Sequence, residues 1–362
     1  MSRSLTSQKE CFYSQISHHH GGQLRAVSEK YGIPLENWLD LSTGINPNSY
    51  PLPDAPSRVW QRLPEINDDL AQAASEYYGS KNLLPVAGSQ AAIQSLPALL
   101  IKNKVKPCRV GILKPAYQSH QNAWEKQGAE IISLSREQIT PARLALLDVL
   151  IVVNPTNPTA EFYHPDLLLE WHQDLVQHGG TLIIDEAFMD VTPAHSMIRT
   201  NTKKGLIVLR SIGKFFGLAG IRLGFVWAQS EILQLIDNQQ DDWAVSHPAR
   251  WAGTHALQNK DWQQAQQNTL PKQAERLVEL LEEIIFNKPL LNGGVYFNTT
   301  NQHVQATAFF AYFEHPRAEI IYQQLAERGV LVRFFPQPPA LRFGLPANEK
   351  EWLNLAEQLH FI

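Results

Sequence analysis

Short apolar runs alternate with helix-like stretches through the middle of the chain, from about residue 63 to residue 247. The apolar runs at 109–113, 149–153 and 182–184 contain β-branched side chains and end in polar residues or prolines. Strands buried on both faces of a parallel sheet have this continuous apolar character, and their alternation with helices is typical of α/β domains. The pattern therefore predicts an α/β domain with a mostly parallel sheet.

The C-terminal third predicts a second, smaller unit. Its expected elements are a helix at 277–285, strands at 293–297 and 307–312, a helix at 320–328, a strand at 330–335 and a final helix from about residue 348. Helices and strands in this order are typical of an α+β domain. We assign residues 48–250 to the large domain and residues 1–47 with 251–362 to the small domain, and we expect the site in the cleft between them.

Composition excludes several functional classes. With 362 residues, 44% of them hydrophobic, the chain can bury the cores of two domains. A net charge of -4 does not favour a nucleic-acid surface. No run of about 18 apolar residues is present, so no membrane span is expected.

Three further expectations follow from residue usage. The N-terminus is polar and lacks an apolar signal core, so we expect a cytoplasmic protein. The two cysteines, Cys11 and Cys108, provide neither a disulfide framework nor a metal site. Glutamines are dense at 239–240 and 263–267, and we expect them to form a solvated helical face without a catalytic role.

One lysine, Lys214, stands in a glycine-punctuated and mostly apolar stretch, residues 211–224. Burial disfavours a charged amine and lowers its pKa, and a neutral amine can attack an aldehyde and hold it as a Schiff base. Ser211 and Arg222 are residue types that hold a phosphate, the arginine through its planar fork of donors. A Schiff-base lysine beside a phosphate cradle predicts a pyridoxal-phosphate site. The alternative is a surface lysine in a loop.

Two upstream strands end in residues that fit the same cofactor. A carboxylate against the pyridine nitrogen keeps the ring protonated, so that the ring can act as an electron sink. Asp185, at the end of its strand, is our candidate for this carboxylate, and a loop or helix-capping acid is the alternative. Asn157 lies in the Asn-Pro-Thr-Asn-Pro turn that closes the run at 149–153, and its amide can donate to the phenolic oxygen. Such turns are also common without a function.

Two more segments add candidates. Ala87-Gly88-Ser89-Gln90 indicates a loop that leads into a helix, where backbone N–H groups and the Ser89 hydroxyl point at an anion. A plain helix start has the same pattern. Tyr117, in Lys-Pro-Ala-Tyr after the strand at 109–113, can lay its ring against the cofactor or serve in ordinary packing.

In chain order, Gly-Ser-Gln, Pro-Ala-Tyr, Asn-Pro-Thr-Asn-Pro, Asp-Glu-Ala and Ser-Ile-Gly-Lys form a series. The series resembles the fold-type I pyridoxal-phosphate enzymes, in the branch of histidinol-phosphate aminotransferase, over nearly the whole chain. The resemblance implies a large domain with a mostly parallel seven-stranded sheet, a small α+β domain and a homodimer. It implies catalytic roles for Lys214, Asp185 and Tyr117, and cofactor contacts from these and from Asn157, Ser89, Gln90, Ser211 and Arg222.

Segments near both ends of the chain indicate a more specific resemblance within this branch. The start contains His18-His19-His20-Gly21-Gly22 and later Asp40-Leu-Ser-Thr-Gly-Ile-Asn46-Pro47, and the end contains Ala340-Leu-Arg342-Phe-Gly-Leu-Pro346. These segments resemble the threonine-phosphate decarboxylases of cobalamin synthesis. The histidines could also be the remnant of an expression tag.

Three residues near the ends are candidates for binding the substrate, together with Asn157. His20 can donate to an anionic group, although histidines near a terminus are commonly solvent-exposed. Arg342 occupies the place where the family keeps the arginine that binds the substrate carboxylate. Arg333 is a candidate for the substrate phosphate, with a cross-strand ion pair as its alternative.

The implied activity is decarboxylation of L-threonine O-3-phosphate to (R)-1-aminopropan-2-yl phosphate. An aminotransferase of the histidinol-phosphate type is the first alternative, and a non-catalytic binding protein of the same fold is the second. One departure concerns the segment Gln61-Arg62-Leu63-Pro64, where many relatives carry a tyrosine that reaches the cofactor phosphate of the neighbouring subunit. Leu63 cannot make that contact.

Overall fold

A computed structural model describes residues 21–101, 106–201, 203–286 and 303–362. The helices, in chain order, are α1 (Leu24–Tyr31), α2 (Ser57–Gln61), α3 (Leu70–Tyr78), α4 (Ser89–Ile101), α5 (Gln118–Glu125), α6 (Pro141–Leu144), α7 (Pro165–Gln177), α8 (Ile212–Phe215), α9 (Ser230–Asp237), α10 (His247–Gln258), α11 (Lys260–Phe286), α12 (Ala318–Glu327) and α13 (Glu349–His360). The strands are β1 (Leu39–Asp40), β2 (Leu83–Val86), β3 (Arg109–Leu113), β4 (Glu130–Leu134), β5 (Val149–Val153), β6 (Thr181–Asp185), β7 (Leu206–Ser211), β8 (Gly224–Trp227), β9 (Gln305–Thr307), β10 (Phe310–Glu314), β11 (Val330–Leu331), β12 (Arg333–Pro336) and β13 (Pro339–Gly344). None of these described helices is long and apolar enough to cross a membrane.

Seven strands form the large sheet, in the order β2-β8-β7-β6-β5-β3-β4. The neighbours from β7 to β4 are parallel, and β8 runs antiparallel to both β7 and β2. Every residue of β5 and β7 is buried, which explains why β5 is apolar throughout and β7 is apolar from Leu206 to Leu209. The predicted α/β fold with a mostly parallel seven-stranded sheet is confirmed.

The two faces of this sheet pack against different helices. Leu150 and Val152 of β5 point into one apolar core together with residues of α7, whereas Val149 and Ile151 point into a second core with residues of α4 and α5. Successive side chains of a strand point to opposite faces, so each central strand contributes to both cores. The carboxyl ends of β3, β5, β6 and β7 consequently meet at one edge of a sheet that is covered on both sides.

The smaller sheet has four antiparallel strands in the order β12-β13-β10-β9. The strand expected at 307–312 is a hairpin instead, because the chain reverses between Thr307 and Phe310, which pair with each other. The reversal at Ala308 and Phe309 carries no glycine, proline or polar turn residue, so the apolar pattern did not indicate it. The expected strand at 330–335 is divided between two sheets: β11 pairs with β1, and β12 pairs with β13.

The other expectations for this part of the chain have mixed outcomes. The helix expected at 277–285 is the last third of the 27-residue α11. The final helix begins at Glu349, capped by the Asn348 side chain, as expected. The strand expected at 293–297 lies outside the described residues. Pairing of β1 with β11 attaches the N-terminal segment to the C-terminal part, although the proposed domain boundaries stay a prediction.

The expected solvated glutamine face is wrong for most of 263–267. The Gln263 amide is buried and donates to the carbonyls of Ala256 and Leu257, both at 2.9 Å. Gln266 accepts a hydrogen bond from the buried Asn46, and Gln267 donates to the Asp190 carbonyl at 3.0 Å. Composition alone missed this because an amide can satisfy buried carbonyls of distant segments.

Candidate active site

Lys214 lies in the one-turn helix α8, directly after β7. The Ser211 side chain caps this helix by accepting from the Gly213 N–H at 3.3 Å. The lysine side chain is partly buried, and its Nζ lies 5.6 Å from the centre of the Phe188 ring. Burial and the positive charge of Arg342 lower the pKa of Lys214 to about 8, against the opposing effect of Asp185. The amine is therefore closer to its neutral, nucleophilic form than an exposed lysine is.

Arg342, on β13, is buried at the same edge of the large sheet. Its guanidinium donates to the Asn157 Oδ1 and, at 2.7 Å, to the Ser42 carbonyl. Burial and the neighbouring Arg333 lower the pKa of Arg342 to about 10, so it remains charged at neutral pH. Its Nε is buried without a hydrogen-bond partner within the described ranges. A buried cation with an unused donor fits an anionic ligand.

Arg333, on β12, lies directly across from Arg342 in the antiparallel pair β12–β13. Its guanidinium lies 5.3 Å from the centre of the Phe335 ring. Burial lowers the pKa of Arg333, with Tyr322 as the smaller, opposing influence. Two cations in register on neighbouring strands provide binding groups for two anionic groups of one ligand.

Asn157 belongs to the turn that follows β5. The side chain of Asn154 holds this turn through two hydrogen bonds of 2.9 Å with the backbone of Tyr163. Because the Asn157 Oδ1 accepts from Arg342, its Nδ2 is left to donate to a ligand. The structure thus brings together Asn157 and Arg342, two of the candidates for binding the substrate.

Asp185 ends β6 and is buried. Its Oδ1 accepts from the Ala187 N–H at 3.1 Å, and its Oδ2 lies 2.9 Å from the Nε2 of His120, which is also buried. Sequence reasoning missed His120. The available signal was its spacing three residues after Tyr117, which places both at the start of α5.

The four expected phosphate residues gather around two glycines. Gly88 precedes α4, and a Cβ there would lie 2.7 Å from the guanidinium of Arg222. A Cβ at Gly224 would lie 2.6 Å from the backbone nitrogen of Ser89, and Gly224 pairs with Ser211 in the sheet. Gln90 is the second residue of α4, whose first N–H groups have no partner within the helix. These residues fit a phosphate, with close backbone approach only glycine permits.

Tyr117 lies at the same edge, just before α5. Its hydroxyl donates to the Gln90 Oε1 at 3.2 Å, which ties the tyrosine to the candidate phosphate residues. His20 lies outside the described residues. The glycines after it contact Ser42: the Gly22 N–H donates to the Ser42 hydroxyl at 2.9 Å, and Ser42 in turn contacts Arg342 through its carbonyl.

The comparisons with known proteins fit this arrangement. The family model for aminotransferase class I and II matches residues 57–359. The chain belongs to the aminotransferase class I and II family. A threonine-phosphate decarboxylase from Pseudomonas aeruginosa is 44% identical, over 93% of this chain and 95% of that protein. A threonine-phosphate decarboxylase from a Sinorhizobium species is 36% identical, over 94% of this chain and 97% of that protein.

Among solved structures of related fold, histidinol-phosphate aminotransferase from Sinorhizobium meliloti in complex with pyridoxal-5'-phosphate superposes with a TM-score of 0.76. It is 17% identical, and the match covers 98% of each chain. This likeness confirms the predicted fold-type I architecture. For an aminotransferase class I and II member, the groups at the edge described above are those that a pyridine ring with a phosphate and an aldehyde requires: a carboxylate, an amide, a phosphate cradle and an amine.

Proposed function

We propose that the protein is a pyridoxal-phosphate-dependent decarboxylase of L-threonine O-3-phosphate, which forms (R)-1-aminopropan-2-yl phosphate for cobalamin synthesis. The observation that carries the proposal is the pair Arg333 and Arg342, side by side on β12 and β13. The substrate has two anionic groups, a carboxylate and a phosphate, and each arginine can bind one of them bidentately. The two relatives named threonine-phosphate decarboxylase, which cover nearly all of the chain, support the same substrate.

The chain has a residue for each part of the cofactor. Ser89, Gln90, Ser211 and Arg222 would hold its phosphate. Asp185 would bind the ring nitrogen, Asn157 the phenolic oxygen and Tyr117 the ring face. When bound, pyridoxal phosphate supplies a protonated ring that accepts the electrons released as a bond to the substrate Cα breaks.

The protein's own groups would bind the substrate and move a proton. Arg342 would bind the carboxylate, and Arg333 with His20 the phosphate, with Asn157 between ring and substrate. The Cα–carboxylate bond breaks, carbon dioxide leaves, and Cα gains one proton, for which the Lys214 ammonium is the donor. Its pKa of about 8 suits an amine that must hold a proton and then give it up near neutral pH.

The enzyme alternative is an aminotransferase, in which Lys214 removes the Cα proton instead. Which bond breaks depends on the substrate's orientation, and the same residues serve both reactions. A non-catalytic role is disfavoured because the lysine, aspartate and arginine that chemistry needs are all present.

We also propose a cytoplasmic homodimer. Trp60, Leu63 and Ile66 are exposed by 68%, 61% and 88%, an apolar group that a second copy could cover. Because Leu63 lacks a phenol, the cofactor phosphate would depend on the residues of its own subunit.

The test is to mix the protein loaded with pyridoxal phosphate with L-threonine O-3-phosphate and to follow carbon dioxide. A parallel sample receives histidinol phosphate and 2-oxoglutarate and is assayed for glutamate. We expect carbon dioxide and no glutamate; glutamate without carbon dioxide would establish the aminotransferase. The Lys214→Ala variant is the control, and it should lose both the reaction and the absorbance band of lysine-bound cofactor.

A further inference from the structure

The helix that carries Lys214 is short, and a distant segment of the chain contributes hydrogen bonds to its C-terminal end. A helix leaves its last carbonyls without internal partners, and α8 has only four residues. The Gly217 N–H donates to the Lys214 carbonyl at 3.3 Å, and residues 46–50 supply further donors. The Asn46 N–H donates to the Lys214 carbonyl at 3.0 Å, and the Tyr50 N–H donates to the Phe216 carbonyl at 2.9 Å.

The Phe215 carbonyl, which lies between those of Lys214 and Phe216 in the chain, accepts a hydrogen bond from a side chain. The Asn46 Nδ2 donates to the Phe215 carbonyl at 2.9 Å and to the Gln266 Oε1 at 3.0 Å. Its Oδ1 accepts from the Asn48 N–H at 2.9 Å, and the residue is 2% exposed. Every polar atom of this amide is therefore used, in a buried place where an unpaired carbonyl is costly.

The two segments also pack closely. A Cβ at Gly217, which has φ of 67°, would lie 2.6 Å from the Ser49 Cα and 2.8 Å from the Asn46 carbonyl oxygen. The same N-terminal segment accepts the Arg342 hydrogen bond through Ser42. Residues 42–50 thus contact both the helix of the lysine and the buried arginine.

We propose that Asn46 is a positioning residue for Lys214. By holding the end of α8, Asn46 fixes the position of the amine relative to Arg342. The inference rests on the role of Lys214 in the proposed function. Asn46 touches no reacting atom; it acts by holding the end of α8. A displacement of a reacting group by about 1 Å can cost about 100-fold in rate.

The principal variant is Asn46→Leu, which has a similar volume and neither donor nor acceptor. We expect kcat for carbon dioxide release to fall by about 10- to 100-fold, with KM changed by less than about threefold. Asn268→Leu is the matched control, because Asn268 is exposed on α11, the helix of Gln266, and we expect no change there. Gln266→Leu removes the other partner of the Asn46 amide and should have only a small effect, because the Phe215 carbonyl keeps its donor.

Two further measurements need no turnover. The absorbance of lysine-bound cofactor should titrate at a pH displaced by at least about 0.5 in Asn46→Leu, and the cofactor-free variant should capture pyridoxal phosphate about tenfold more slowly. A variant with a lower melting temperature but wild-type kcat, titration and capture would overturn the proposal. If Asn46→Leu does not fold, Asn46→Ser, too short to reach Phe215, must give the same shifts. Should wild type release no carbon dioxide, the proposed function fails while titration and capture still decide on Asn46.

Discussion

Two clusters of charge lie close to the carboxyl ends of β6 and β7 and are built in opposite ways. In the structural cluster, Arg210 contacts Glu186 at 2.8 Å and Asp190 at 2.6 Å, and all three are buried. The cleft cluster consists of Lys214, Arg222 and Arg342, and none of these three forms an ion pair with a described residue. Glu186 follows Asp185 directly, and Arg210 precedes Ser211.

The pKa values follow this difference. The carboxylates of Asp190 and Glu186 raise the pKa of Arg210 in spite of its burial. Burial lowers the pKa of Lys214 and of Arg342, each with a neighbouring arginine adding to the effect. Charges paired within the protein stabilise the ends of β6 and β7, whereas charges left unpaired are available to anionic ligands. Buried cations without an ion-pair partner among the described residues therefore mark the site.

The largest effect is expected from breaking the structural cluster. Arg210→Met leaves Glu186 and Asp190 buried without their cation and should lower the free energy of unfolding by about 3–5 kcal/mol. Urea unfolding measures this value. Arg250→Met is the matched control, since Arg250 pairs with the partly exposed Asp68 and its loss should cost less. Equal stability of Arg210→Met and wild type would show that the cluster is not structural.

Replacing a cation of the cleft cluster by methionine should instead raise the free energy of unfolding. The pKa of Lys214 is about 8 in the folded protein and 10.5 ordinarily, so its charged form opposes folding. Because the side chain is partly exposed, we expect Lys214→Met to stabilise the cofactor-free protein by about 2 kcal/mol at pH 7.

The pH dependence of this stability difference follows from the lowered pKa of Lys214. The wild-type protein gains stability as pH rises from about 8 to 10.5, since only the unfolded chain then still binds the proton. The advantage of Lys214→Met is therefore complete below pH 8 and disappears toward pH 10.5. Urea unfolding of both cofactor-free proteins at pH 7 and pH 10 measures it. A constant difference at the two pH values would contradict the assignment of the effect to the amine.

The local sequence was sufficient to predict most of the fold and the candidate residues that follow the strands. The fully apolar β5 and the run before Asp185 predicted the central strands, because burial on both faces leaves a continuous apolar signal. Each motif then followed a strand by a few residues, so parallel topology alone brought them to one edge.

Contacts between distant segments could not be predicted in this way. Asn46 and Phe215 are 169 residues apart, and His120 and Asp185 are 65 apart. An asparagine or a histidine has the same local pattern whether it is exposed or bonded in the core, so only the tertiary fold distinguishes the two. The glutamines of α11 were misassigned for the same reason.

His120 helps to explain why the cleft cluster stays unpaired, and it gives the smallest of the three effects. Among the described residues, Asp185 is the acid whose charge raises the pKa of Lys214. Both of its oxygens already form a close contact, with the Ala187 N–H and with His120, which leaves the carboxylate less free to pair with the amine. In His120→Phe the Oδ2 loses its partner, so we expect kcat to fall about tenfold, the equivalent of one lost hydrogen bond to a charged group.

The pKa of Lys214 should rise in the same variant, which the pH titration of cofactor capture can measure. His172→Phe is the matched control, because that histidine is also buried but its Nε2 contacts the Lys204 carbonyl, next to the amino end of β7 and away from the site. If His120→Phe kept the wild-type rate and the wild-type titration, the imidazole would be a packing residue. The unpaired state of Lys214 would then have to come from distance alone.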